Sequence, residues 1–285
     1  MPVVMRCEVC SGSTTAGTLR DGSTLSHCTA CSHVQRDIDA CPAHHRSLAY
    51  GGDPGLDRVR LALTTRVLER VGGRPGNVFE IGFGAGQLLR YFLDRGVEVA
   101  GCDPDQLGSI VDPEVVRRGH LQHSTVEEVV TDGLAVDLVY GVHVIEHVGD
   151  PVASLRACRD LLRPGGRLVL LTPAADSRSL QAFSQAWWLL EDPTHVRFFT
   201  ARSMRHALAA AGFRDVRISR LYADNLTMEG ASLVRTLRPL DRPRGVLAGT
   251  IGRWLSTAAI PAALLVRALV PRWRPTMLVT ARRPA

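Results

Sequence analysis

Residues 80–89, EIGFGAGQLL, set three glycines at alternate positions, Gly82, Gly84 and Gly86, behind a short apolar run and a carboxylate, Glu80. A glycine-rich bend at the end of a buried strand lets the main chain approach a ligand with no Cβ in the way. The residues around the bend narrow the ligand. A phosphate-binding loop needs lysine and Ser/Thr after its glycines, and this chain has Gln87-Leu88 there. A dinucleotide fingerprint needs two residues between its second and third glycines, whereas only Ala85 separates Gly84 from Gly86.

Glu80 would repel a pyrophosphate but suits the α-ammonium of an amino acid. The following strand, VEVAGCDPD, ends in Asp103, placed to hold a ribose diol bidentately. An amino acid, a ribose and an adenine together make S-adenosylmethionine, which is the cofactor this pair of acids predicts. The alternatives for the two residues are a salt-bridge partner for Glu80 and a turn cap before Pro104 for Asp103.

Outward from the loop, helical and strand patterns alternate. LDRVRLALTTRVLERV (56–71) has helical spacing and ends at Gly72-Gly73; NVFEIG reads as a buried strand, and GQLLRYFLDRG as a helix closed by Gly96. Residues 113–119 read as a short helix, HLQHS as a third strand, and VDLVYGVHVIEHV as a fourth strand running into a short helix. PVASLRACRDLLRPGG reads as a helix stopped at Pro164, RLVLLTP as a fifth strand, ARSMRHALAAAGF as a helix, DVRISRLY as a sixth strand and TMLVTARRP as a seventh. Such alternation predicts an α/β fold: a seven-stranded, doubly wound, Rossmann-like sheet with helices on both faces and its ligand at the carboxyl ends of the strands.

With these residues in view, the chain resembles the class I S-adenosylmethionine-dependent methyltransferases over roughly residues 56–223. VFEIGFGAG looks like their first motif and VAGCDPD like the second, which implies Asp103 as ribose ligand and Pro104 beside it among the cofactor contacts. HSTVEE falls where the family contacts adenine, implicating Ser124, Thr125 and Val126. DLVYGVHVIEHVGDP resembles the fourth-strand motif, LLRPGGRLVLLTP the fifth, and EDPTHVRFFT the loop of a subgroup acting on small molecules and saccharides. The resemblance implies methyl transfer to oxygen or nitrogen of a sugar-like or natural-product acceptor. C-methylation of a sugar is disfavoured, because the longer sugar C-methyltransferases carry a C-terminal domain absent from this sequence.

Methyl transfer is a displacement at a sulfonium, so the protein must align the acceptor and, for a hydroxyl, remove its proton. His143, which should approach the methionine end of the cofactor, has i, i+3, i+4 spacing with Glu146 and His147, predicting one helical face. Similar spacing in ubiquinone-pathway O-methyltransferases, with Glu in the first position, is associated with a divalent metal; the alternative here is that Glu146 and His147 hydrogen-bond the turn after the strand. His195, in the loop behind Trp187-Trp188, is the preferred general base; His143 and His147 are further candidates. The two tryptophans read equally as pocket or core. Tyr50 could close over the cofactor.

Four of the seven cysteines form two Cys-x-x-Cys pairs, Cys7/Cys10 and Cys28/Cys31. That spacing predicts a four-cysteine zinc ribbon, two knuckles joined by a hairpin with a turn at Asp21-Gly22. Four thiolates leave no open position, so the predicted role is structural, a metal staple for a module too small to fold on its own core. The alternatives are two disulfides or free thiols. Cys41, His44 and His45 read as linker residues, and Cys102 and Cys158 as small core residues. The expected division is a ribbon over 1–45 and a methyltransferase domain over 46–285, with a basic apolar helical insertion at about 226–272.

The chain contains no lysine, and its net charge of +6 is concentrated at one end. From Leu233 onward there are ten arginines and one acid, Asp241, leaving 24 arginines against 27 acids elsewhere. A basic tail on a faintly acidic body argues against nucleic acid as the main partner. Residues 246–270 are apolar but contain Arg253, Pro261 and Arg267, which suit a pair of amphipathic helices broken at Pro261 better than a membrane span. With flanking Arg244, Arg272 and Arg274 they could lie on a membrane surface, or form a lid or dimer helix pair. The opening MPVVMRCEVC carries no signal-peptide pattern, which points to the cytoplasm. Two other functions compete: a ribosomal-RNA base methyltransferase with a zinc-binding RNA module, and a non-catalytic partner that retains the fold.

Overall fold

The computed structural model describes residues 6–19, 24–36, 54–104, 110–129, 133–191, 194–237 and 250–285. The expected turn at Asp21-Gly22, the linker residues Cys41, His44, His45 and Tyr50, and Arg244 lie outside the described residues.

In chain order the elements begin with three short strands, β1 (Thr14–Thr18), β2 (Thr24–Cys28) and β3 (Val34–Arg36), followed by helix α1 (Pro54–Gly72). Then come β4 (Asn77–Ile81), α2 (Gln87–Leu93), β5 (Glu98–Cys102), α3 (Pro113–Arg118), β6 (His120–Gln122), β7 (Val136–Val142), α4 (Pro151–Leu161) and β8 (Leu162–Pro173). The last part holds α5 (Arg178–Phe183), β9 (Arg197–Phe198), α6 (Ala201–Ala210), β10 (Arg214–Leu221), α7 (Met228–Leu237), α8 (Thr250–Ala258), α9 (Ile260–Leu269) and β11 (Thr276–Arg282).

The chain divides into two compact units. One holds residues 45–171, 205–218 and 278–285. The seven-stranded sheet, in the order β10-β11-β8-β7-β4-β5-β6, gives it its core. The expected Rossmann-like sheet therefore forms. Pairs β4/β5, β4/β7, β5/β6 and β7/β8 are parallel. Parallel strands are covered on both faces and so need continuous apolar runs; Val78, Phe79 and Ile81, Leu138 and Val139, and Leu168 through Leu170 supply them, all buried. The register sets Glu80 opposite Gly101 of β5 and Tyr140 of β7.

Two boundaries differ from the sequence reading. Helix α4 ends at Leu161, and Leu162 is already extended (ψ 143°). Pro164 disfavours the α region at the residue before it, so the helix closes earlier. After β7 the chain makes a turn at 145–147 instead of the expected short helix.

The other unit holds residues 1–44, 172–204 and 219–277. Its sheet runs β1-β2-β3-β9 and is antiparallel throughout. Strand β9 is two residues long and pairs Phe198 with Val34 and Arg197 with Gln35. Trp187, Leu189, Phe198 and Phe199 are buried, with Trp187 and Phe198 rings 5.6 Å apart. The expected helix pair forms, but its break falls at Ala259 instead of Pro261: α8 ends at Ala258, and Pro261 sits in the first turn of α9, where a proline's missing N–H costs nothing. Among the described residues no helix is long and apolar enough to cross a membrane.

Candidate functional site

At the end of β4, Glu80 is almost wholly buried and accepts a hydrogen bond from the Tyr140 hydroxyl at 3.1 Å. Burial, reinforced by the nearby negative charge of Asp103, pushes its carboxyl well above the usual carboxylate range. A buried acid with a neutral hydroxyl partner is poised to receive a cation. Asp103 follows the next strand over, and its Oδ2 accepts the Gly84 N–H at 2.8 Å. The two acids thus end neighbouring parallel strands.

The loop between them bends because Gly82, Gly84 and Gly86 all take left-handed φ values, 69°, 51° and 73°. A Cβ on Gly82 would lie 2.8 Å from Val144 Cγ2, whereas one on Gly84 would enter space with no atom within 4 Å. Glycine at 84 therefore leaves the main chain bare toward an opening, the property a cofactor cradle requires. Farther along, Thr125 opens a single turn by a capping box in which Glu128 accepts from its main-chain N–H and its hydroxyl, both at 3.1 Å. Val126 is buried, and the buried Ser124 Oγ has no hydrogen-bond partner among the described residues. An orphaned hydroxyl at this position fits the polar edge of a purine. Pro104 is exposed beside Asp103. S-adenosylmethionine fits this donor and acceptor set: acids for an ammonium and a diol, an open main-chain bend, and a hydroxyl waiting for a partner.

His143, just past β7, is left-handed (φ 53°), unusual for a residue with a Cβ. Its N–H donates to Leu171 O at 2.8 Å, and its Nδ1 donates to Glu146 Oε1 at 3.2 Å. The predicted helical face of His143, Glu146 and His147 is thus a turn, in which His147 N–H donates to Val144 O. The i, i+3 pair meets nonetheless, because the turn folds back over the same spacing. Tyr140 was missed as Glu80's partner: pairing β7 with β4 is a long-range event that local pattern does not reveal.

In the other unit His195 is buried, with its ring edge-on to Phe198. Its Nδ1 lies 2.8 Å from Leu189 O. A carbonyl can only accept, so the proton sits on Nδ1 and Nε2 is the basic nitrogen. Trp187 and Trp188 are both buried, and Trp187 donates to Ser179 Oγ at 3.2 Å, which settles Trp187 as core.

The four predicted cysteine ligands converge. Cys7 Sγ lies 3.6 Å from Cys31 Sγ and Cys10 Sγ 3.5 Å from Cys28 Sγ, with all four within 4.8 Å of one another. These separations exclude disulfides. They match a tetrahedron whose zinc–sulfur bonds of about 2.3 Å give edges of about 3.8 Å. Glu8, inside the first knuckle, is bracketed by His33 Nε2 at 2.7 Å and by Arg197 at 2.8 and 3.0 Å. Burial opposes its charge, but the His33 hydrogen bond and the Arg197 charge outweigh that and hold it at about 2. Cys102 and Cys158 are buried as read, the Cys102 thiol pushed up to about 12 by burial and by Asp103.

A family model described as a methyltransferase domain matches residues 55–218, more than half of the chain. Among curated relatives, a ubiquinone biosynthesis O-methyltransferase of Cereibacter sphaeroides is 30% identical over 157 residues, 49% of this chain and 60% of that one. Another of the same name, from Dinoroseobacter shibae, is 32% identical over 180 residues, 56% of this chain and 73% of that one. The match thus spans about three-fifths to three-quarters of these relatives' length. Among solved structures, a Haemonchus contortus phosphoethanolamine N-methyltransferase in complex with phosphomonomethylethanolamine and S-adenosylhomocysteine superposes with TM-score 0.55 at 15% identity. That likeness covers 79% of this chain and 53% of that one, and it bears on the fold.

Proposed function

The chain belongs to the class I S-adenosylmethionine-dependent methyltransferases, and we propose that it methylates an oxygen of a small-molecule acceptor. The observation that carries the reading is the pair of acids on adjacent strands, one buried with its carboxyl raised, on either side of a glycine bend open at Gly84. The choice of oxygen over nitrogen rests on the two O-methyltransferase relatives. A sugar-like or natural-product acceptor remains our reading of the loop around His195.

When bound, S-adenosylmethionine supplies a methyl group made electrophilic by its sulfonium. The chain's own contribution is placement and proton handling. Glu80 takes the α-ammonium, Asp103 the ribose diol, and Ser124, Thr125 and Val126 the adenine; Gly82, Gly84, Gly86, Pro104 and His143 line the same cofactor. Nε2 of His195 accepts the proton of the acceptor hydroxyl, its tautomer fixed by Leu189 O. His143 and His147 are the next candidates for that role. Cys7, Cys10, Cys28 and Cys31 hold a structural zinc ion that fastens the N-terminal hairpin.

Calorimetric titration with S-adenosylhomocysteine, followed by turnover on a panel of phenols, sugars and amines, tests the proposal. Tight nucleoside binding with methylation of a hydroxyl is expected. Absence of nucleoside binding to folded protein would remove the cofactor assignment; methyl transfer confined to amines would remove the oxygen assignment alone.

A further inference from the structure

We propose that helices α8 and α9 form a face that rests on an anionic lipid bilayer. An ordinary surface helix buries its large apolar side chains and shows water its small or charged ones. These two do the reverse. Helix α8 buries Ser256 and exposes Ile251 (69%), Trp254 (68%) and Leu255. Helix α9 buries Ala263 and Arg267 and exposes Leu265 (61%), Val266 and Leu269 (73%).

The inversion is built in by packing. A Cβ on Gly230 of α7 would fall 2.6 Å from Ser256 Cα, so the main chains of α7 and α8 meet closely and only small residues fit between them. In α9 the inward position is taken by Arg267, fully buried. Its guanidinium makes two 2.6 Å bonds to the Glu229 carboxylate and donates to the carbonyls of Asp224, Asn225 and Tyr222. A buried charge satisfied this completely fixes the helix about its own axis and turns its leucines outward. Neighbouring α7 adds exposed Leu233 and Leu237.

Charge identifies the occupant. The described residues from 250 to 285 include Arg253 and Arg272, both exposed, and contain no aspartate or glutamate. Glu229, the nearest acid in α7, is engaged by Arg267. Exposed Trp and Leu flanked by arginines, on helices too short to span, is the signature of a segment lying in the headgroup region of anionic lipid. A second copy of the chain suits the face less well, because a two-fold contact would bring two sets of Arg253 and Arg272 together with no acid among the described residues 250–285 to offset them.

The test is co-sedimentation of the full chain with phosphatidylcholine vesicles containing about a quarter phosphatidylglycerol, and with pure phosphatidylcholine vesicles. Partition onto the anionic vesicles should exceed that onto neutral ones about tenfold or more and fall in high salt. The double substitution Trp254→Glu with Leu269→Glu should remove binding while leaving circular dichroism and S-adenosylhomocysteine titration unchanged. No binding to anionic vesicles, or equal binding by the variant, overturns the proposal. So does a concentration-dependent dimer in sedimentation velocity that the same substitutions disperse, which would give the face to a second copy.

Discussion

The Tyr140 hydroxyl donates to Glu80 Oε2 at 3.1 Å across two neighbouring strands, both sealed from solvent at that point. Glu80 is thereby held in place by a neutral group, and on the proposed assignment the ammonium of the cofactor brings the compensating charge. Glu80→Gln keeps the hydrogen bond and removes the charge. The variant should melt at the same or a higher temperature than the parent at neutral pH and bind S-adenosylhomocysteine about 30-fold to 100-fold more weakly. A lower melting temperature with unchanged affinity would show Glu80 to be a structural acid.

The same acid sets a pH dependence. Its folded carboxyl is raised above the usual carboxylate range, first by burial and then by Asp103. The protonated form therefore stabilises the ligand-free protein fully below the ordinary carboxylate range, and that contribution is lost as pH rises through the raised value. Binding an ammonium requires the ionised form, so affinity should weaken as pH falls through the same window, with a proton released on binding. Calorimetry in buffers of different ionisation enthalpy measures that proton directly, and zero release would count against the assignment.

His195→Asn retains an N–H for Leu189 O and removes the basic Nε2. Turnover on a hydroxyl acceptor should fall about 100-fold to 10,000-fold with cofactor affinity unchanged. Unaltered kcat would hand the role to His143 or His147, each testable by the same substitution.

Zinc analysis should return one metal per chain, lost in Cys10→Ser. The variant should be less stable by at least about 3 kcal/mol, or roughly 6–12 °C in Tm. A full metal complement in the variant would place the ion elsewhere.

Arg267→Ala would strand Glu229 in the interior beside it. The expected cost is about 3–5 kcal/mol, most of it recovered by the double change Arg267→Met with Glu229→Met, as denaturant titration would report.

The seven-strand sheet was legible because parallel strands write themselves as apolar runs ended by glycine and acid. The strand-end positions of Glu80 and Asp103 and the convergence of the four cysteines were legible for a related reason: each belongs to a spacing set by local geometry. What escaped was non-local. Strand β9 has two residues and no alternation of its own, and exists only because β3 offers it an edge. Tyr140 looked like one more apolar strand residue. The turn after β7 carries helical spacing but closes as a turn, its left-handed His143 bound to Leu171 O on the neighbouring strand. The burial of Arg267 escaped as well, since sequence alone does not reveal an inward partner such as Glu229.

Strand β9 also sets a timetable. The N-terminal hairpin gains its fourth strand from Arg197 and Phe198, far along the chain from the Val34 and Gln35 they pair with, and Glu8 gains the Arg197 guanidinium from 189 positions downstream. During synthesis the ribosome must deliver the chain as far as Phe198 before that sheet can be completed. Until then the nascent cysteine knuckles lack that fourth strand, so, on the proposed zinc assignment, early metal loading ahead of tertiary closure is the order of events this topology favours.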